Sequence, residues 1–208
     1  FFPLAFYSSS GLETPAYLLC LLVGALFHLK AVREQNPVGH YFSLAAFLAA
    51  ALMRPEGIGF LGLNGLFVLY HWRRLPRRVL AAALVSLAVY ATVTAIKAQY
   101  FGGLLPNTYF AKPGTSPQYL APLSRGIDYL VRFFGKSGLV FFLPFALVVP
   151  FDKPSRYAWL YLWAFALYQL FFITFVGADV LRFDRFAVPL APWVLALAAL
   201  GVMEMIEG

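Results

Sequence analysis

The sequence predicts an all-α fold: a polytopic transmembrane helical bundle of about seven spans with an extracytoplasmic loop region. Two observations predict it. The 208-residue chain is 62% hydrophobic and only 12% charged, with mean hydropathy +0.75, whereas a soluble domain carries about a quarter charged residues. Its apolar runs are also separated by short charged connections, the pattern of a chain that crosses a bilayer repeatedly. No soluble stretch is long enough to be a second unit, so residues 1–208 read as a single transmembrane domain.

The elements follow in order. Thr14 is placed to cap the first span with Pro15 at its first position. That span runs from Pro15 to about Leu29, and Lys30–Pro37 closes it. The second runs from His40 to Met53 and stops at Arg54-Pro55-Glu56-Gly57. The third, Ile58 to Trp72, ends in Arg73-Arg74-Leu75-Pro76-Arg77-Arg78, and the fourth runs from Val79 to Ile96. A long connection, Lys97–Lys136, reads as an outer loop carrying an interfacial helix from Ser124 to Phe134. The fifth, sixth and seventh spans are Gly138–Val149, Tyr157–Val176 and Phe186–Met203, with Gly177–Arg185 between the last two. Spans of about fifteen residues cover only roughly 22 Å of a ~30 Å core. Their polar ends are therefore expected inside the bilayer or against a water-filled cavity.

Charge sets orientation. Arg73, Arg74, Arg77 and Arg78 have no acidic neighbours, and basic residues of short loops stay cytoplasmic. By alternation Lys30, Arg33, Lys153 and Arg156 share that side. Ser8–Pro15, Arg54–Gly57, Lys97–Lys136 and Gly177–Arg185 fall on the other. Every unusual motif thus lands on one outer face. The net charge is +7, but the cations sit at span ends and form no continuous basic face, so nucleic acid is not an expected partner. The lone Cys20 excludes an intrachain disulfide. His28, His40 and His71 lie on different segments without metal-ligand spacing, so no metal site is expected from them.

Four constellations carry chemistry. Tyr100–Lys112 combines helix-breaking Gly102, Gly103 and Pro106 with Asn107, Thr108, Tyr109 and Lys112. Such a loop suits a polar, anionic ligand at a membrane surface. Arg54-Pro55-Glu56-Gly57 reads either as a turn with a charge pair or as a charged pair at a cavity rim, and ionisable groups at membrane depth are costly enough to favour function. Glu13 suits the positive end of the first helix, which explains a cap and leaves open a role with a ligand or catalytic group. In Gly177–Phe186, Asp179, Arg182, Asp184 and Arg185 sit between two spans. Salt-bridged packing is the plain account, but an arginine fork also matches phosphate oxygens.

The order Ser-Gly-Leu-Glu-Thr (10–14), Arg-Pro-Glu-Gly (54–57), Tyr-Phe-Gly-Gly-Leu-Leu-Pro-Asn-Thr-Tyr-Phe-Ala-Lys (100–112) and Gly-Ala-Asp…Arg-Phe (177–186) resembles GT-C integral-membrane glycosyltransferases. It is most similar to the mycobacterial terminal arabinofuranosyltransferase group and its bacterial relatives. The resemblance covers about Ser10 to Pro192. The last motif departs from Gly-Gly-Asp-Phe-Met…Arg, reading Gly-Ala-Asp-Val-Leu-Arg-Phe-Asp-Arg here.

The resemblance implies an enzyme of the bacterial inner membrane, multi-pass, with an extracytoplasmic active face. It would move a sugar from a polyprenyl-phosphate donor to a glycan, lipid or protein acceptor. Lys112, Arg54 and Arg182 or Arg185 would contact phosphate, and Glu56 stands with Arg54 among the substrate-binding residues. Asn107 and Tyr109 would orient sugar hydroxyls. Glu13 and Asp179 are the candidate acids. Since such enzymes place the catalytic acid in a first outer loop, and this chain opens Phe-Phe-Pro, it is expected to be a piece that begins after that region. No cofactor is expected, with a divalent metal requirement left open. The competing expectation is a lipid-linked sugar flippase. A flippase should carry polar residues through its inner half, and the sequence places only apolar residues there besides the basic loops.

Overall fold

The computed structural model of the chain describes residues 13–71, 73, 75–102, 120–176 and 186–207. These residues form helices and turns only. Among the described residues three helices are long and apolar enough to cross a membrane, at Thr14–Glu34, Arg77–Tyr100 and Pro154–Phe175. A fourth crossing results if Ser124–Ser137 and Leu139–Ala146, bent by 84° at the break, count as one span. Large aliphatic and aromatic side chains such as Leu26, Leu84, Phe141 and Phe175 are exposed, while Ser43, Arg54, Glu56, Asn64 and Gln169 are buried. Apolar outside and polar inside is the distribution of a helical membrane bundle.

The described residues fall into two compact units, taken here separately. The first holds α1 (Thr14–Glu34), α2 (Pro37–Met53), α3 (Gly57–Tyr70) and α4 (Arg77–Phe101). The expected Lys30–Pro37 connection is much shorter in the structure. Lys30 and Glu34 pair one turn apart at 3.9 Å, and the helix runs on through them. Only Gln35 and Asn36 remain between the helices. Gln35 takes a left-handed φ of 51°, and the Asn36 side chain accepts the Val38 N–H at 3.0 Å, with Pro37 opening α2. A Cβ on Gly24 would lie 2.8 Å from the Phe47 ring, and one on Gly39 2.8 Å from the Ala31 Cβ. Small residues let α1 and α2 approach this closely.

At 14 residues α3 extends about 21 Å, short of a ~30 Å core. α4 is longer than the expected fourth span. It includes Tyr100 and Phe101, which the sequence assigns to the loop, and stops at Gly102, whose φ of 75° caps it in the left-handed region.

The second unit holds α5 (Leu120–Ser137), a 3-10 turn at Leu139–Phe142, α6 (Leu143–Ala146), α7 (Lys153–Val176) and α8 (Leu190–Glu207). α5 contains the helix expected at Ser124–Phe134. The expected continuous span Gly138–Val149 is instead a 3-10 turn and one helical turn. Gly138, at φ 72°, sets the break, and Pro144 and Pro150 remove donors that a longer helix would need. The indole N–H groups of Trp159 and Trp163 both donate to the Ala146 carbonyl, at 3.0 and 3.1 Å, satisfying the end of the short helix. The Glu204 carboxylate accepts the Phe151 N–H at 2.8 Å. Gly201 lies against the Phe145 carbonyl with no room for a Cβ. The core is aromatic: Phe165 meets Tyr161 at 4.5 Å and Trp193 at 5.4 Å between ring centroids.

Candidate functional site

The site is built on the α2–α3 turn. Arg54 ends α2, its N–H reaching the Ala50 carbonyl at 3.0 Å, and its own carbonyl accepts the Gly57 N–H at 2.9 Å. Pro55 cannot continue a helix from Arg54, and Gly57 lets the turn fold back on α2. A Cβ there would stand 2.6 Å from the Ala51 backbone. This reversal brings the Glu56 carboxylate to 2.8 Å from Arg54 Nη2. Both residues are only 4% exposed. The guanidinium also lies over the Tyr17 ring, 5.0 Å from its centroid. Tyr17 is fully buried one turn into α1.

The Arg-Pro-Glu-Gly motif therefore meets the helix end that the Ser-Gly-Leu-Glu-Thr motif leads into. Glu13 itself is exposed just before α1. Thr14 does not play the expected capping role: it already belongs to the helix, and its buried hydroxyl has no hydrogen-bond partner among the described residues. Removing one member of a buried ion pair costs about 3–5 kcal/mol, while an apolar replacement of both is often neutral or stabilising. The pair is thus weak evidence for stability and a pointer to chemistry. Asn107, Tyr109, Lys112, Asp179, Arg182 and Arg185 lie outside the described residues.

The other end of the first unit departs from expectation. The sequence places only apolar residues and basic loops there. In the structure His28 of α1 and His40 of α2 are buried with ring centroids 5.2 Å apart, edge to face. His71 follows the last residue of α3. One turn beyond His40, the buried Ser43 hydroxyl bonds the Asn64 side-chain oxygen of α3 at 3.3 Å. A buried polar seam thus continues from the middle of the bundle toward the histidine end. Among the described residues no group of three or more His, Cys, Asp or Glu is placed to hold a metal ion.

Tyr17, the His28–His40 pair, the Ser43–Asn64 bond and Gln169 were missed by sequence reasoning. Gln169, fully buried on α7, donates from Nε2 to the Phe186 carbonyl at 2.6 Å. It fixes the last residue of the Gly177–Phe186 motif to α7. The available signal was weak: an amide inside an apolar span, which is costly unless bonded.

Comparison with known proteins leaves these residues to carry the argument: no protein family, curated protein or solved structure matches the chain.

Proposed function

We propose that this chain is the membrane module of a multi-span GT-C-type glycosyltransferase. It would move a sugar from a polyprenyl-phosphate donor to a cell-envelope acceptor on the extracytoplasmic face of a bacterial inner membrane. The observation that carries this reading is the Arg54–Glu56 pair stacked on Tyr17, because it buries the ionisable pair of the Arg-Pro-Glu-Gly motif against the start of α1, where a charged pair is costly. In the transfer, a carboxylate takes the proton from the acceptor hydroxyl as that oxygen attacks the anomeric carbon. The bond from that carbon to the donor phosphate breaks, and fixed cations meet the charge growing on the leaving phosphate. Lys112 and Arg182 or Arg185 are assigned to that phosphate, Asn107 and Tyr109 to sugar hydroxyls, and Glu13 and Asp179 to supporting the base or binding the sugar. Arg54 is closed over by Glu56 in this state, so its contact with a phosphate requires Glu56 to release it. Gln169 is a positioning residue for the arginine motif.

The test is the full-length protein reconstituted in lipid with radiolabelled polyprenyl-phosphate sugars. Released polyprenyl phosphate or a labelled acceptor is expected, and Lys112→Ala should abolish most of it while the helical signal stays intact. Near-normal turnover in that variant would sink the assignment. One observation favours a second reading, a lipid-linked sugar flippase: the polar seam Ser43–Asn64–His40–His28 runs into the half of the bundle that an enzyme open to one side does not need polar. Label that crosses the bilayer chemically unchanged would establish that alternative.

A further inference from the structure

Helix α5 has two unlike exposed flanks. Its inner face is buried at Gly126, Tyr129 and Phe133, and Gly126 packs so tightly on α7 that a Cβ would come within 2.7 Å of Thr174. At 3.6 residues per turn, Arg125, Arg132 and Lys136 share one exposed flank. Ile127, 49% exposed, and Val131, 67% exposed, share the other, with Ser124, Asp128 and Gly135 along the crest between them. Three cations thus stand against one carboxylate. After Gly138 the chain turns away, the Leu139–Ala146 segment standing at 84° to α5. Local roles explain single residues. Lys136 complements the negative helix end, and Arg132 Nε donates back to the Asp128 carbonyl at 3.2 Å. They do not explain why bare aliphatics line the opposite flank.

We propose that α5 lies along the membrane surface, its Arg125–Arg132–Lys136 flank docked on the phosphates of anionic phospholipid while Ile127 and Val131 enter the acyl layer. The three cations are spread over about 16 Å of helix axis. A helix running through the bilayer would set them at depths differing by that amount, and one lying along the surface lets all three reach a single headgroup layer. On α7, which Gly126 meets at Thr174, Phe171 and Phe175 are also exposed. The cation excess selects the anionic headgroup over a zwitterionic one. The inference rests on membrane placement and not on glycosyl transfer, so either can fail alone.

Two measurements on the full chain test it. In a Cys20→Ser background, single cysteines at positions 127, 131 and 135 carry an environment-sensitive fluorophore in phosphatidylcholine–phosphatidylglycerol liposomes. Labels at 127 and 131 should be quenched by a shallow lipid-borne quencher and shielded from iodide, and the label at 135 should be open to iodide. Equal iodide access at all three overturns the proposal, as does quenching of 131 from the bilayer centre. In the second, phosphatidylglycerol retained by the purified protein should be enriched about several-fold over the bulk mixture. It should fall to the bulk ratio in Arg125→Gln/Arg132→Gln/Lys136→Gln protein of unchanged helical content. Retained enrichment in that variant overturns the cationic flank. If the triple variant fails to fold, the labelling pattern decides.

Discussion

The two units of this chain fill similar helical frames with opposite interiors. The first buries an arginine, a glutamate, two histidines, a serine and an asparagine among α1, α2 and α3. The second packs Phe133, Tyr161, Phe165 and Trp193 at its centre, with Gln169 its one buried amide among the described residues. Its described ionic groups sit at helix ends or on the α5 flank. Aromatic packing is a direct gain in dispersion and area burial. A buried ion pair offers no comparable gain, because desolvation cancels most of its Coulomb energy. The difference teaches where to look: the second unit is organised by stability, and the first holds groups that stability alone does not require.

The largest test of that contrast is to break the pair. Arg54→Met or Glu56→Gln alone leaves one buried group without its partner and should cost about 3–5 kcal/mol, read as a large drop in thermal midpoint in detergent. Steric change in the second unit comes next. Gly126→Val places side-chain carbons where even a Cβ meets the Thr174 backbone at 2.7 Å, and overpacking costs about 1–3 kcal/mol. A midpoint equal to the parent's would mean α5 does not rest on α7. Gln169→Leu removes the bond to the Phe186 carbonyl, worth about 0.6 kcal/mol inside a membrane bundle. Its stability effect should be small, and any loss of donor turnover larger than that effect would mark its positioning role.

The smallest effect is at the surface. The Ser155 backbone N–H, 2.9 Å from Asp152, and then the Ser155 hydroxyl hold the Asp152 carboxyl below its ordinary value of 3.8. A lowered folded-state value contributes stability above about pH 4 and loses it as pH falls through the folded value. Asp152→Asn should therefore slightly flatten the acid limb of the midpoint-against-pH curve, and an unchanged limb would refute the cap.

Much of the frame was legible. Apolar runs located the helices Thr14–Glu34, Arg77–Tyr100 and Pro154–Phe175, the Arg-Pro-Glu-Gly string announced a tight reversal with a charge pair, and 124–134 read as helix. Of the seven spans expected, however, only three or four described helices are long and apolar enough to cross. Helix ends were less legible, because Lys30, Arg33 and Glu34 look like a loop by composition but continue α1 through a pairing one turn apart. The span expected at Gly138–Val149 failed on backbone chemistry, since an apolar run does not reveal a left-handed glycine. The polar seam was invisible for a different reason. His28 and His40 meet only because the α1–α2 turn is two residues long, and Ser43 meets Asn64 only across two helices.

The most direct test of the central claim is the double variant Arg54→Met/Glu56→Met in the full-length protein, measured for both thermal midpoint and polyprenyl-phosphate release. The account predicts a midpoint equal to or above the parent's with release lost. A midpoint well below the parent's, or release undiminished in a folded protein, would contradict it.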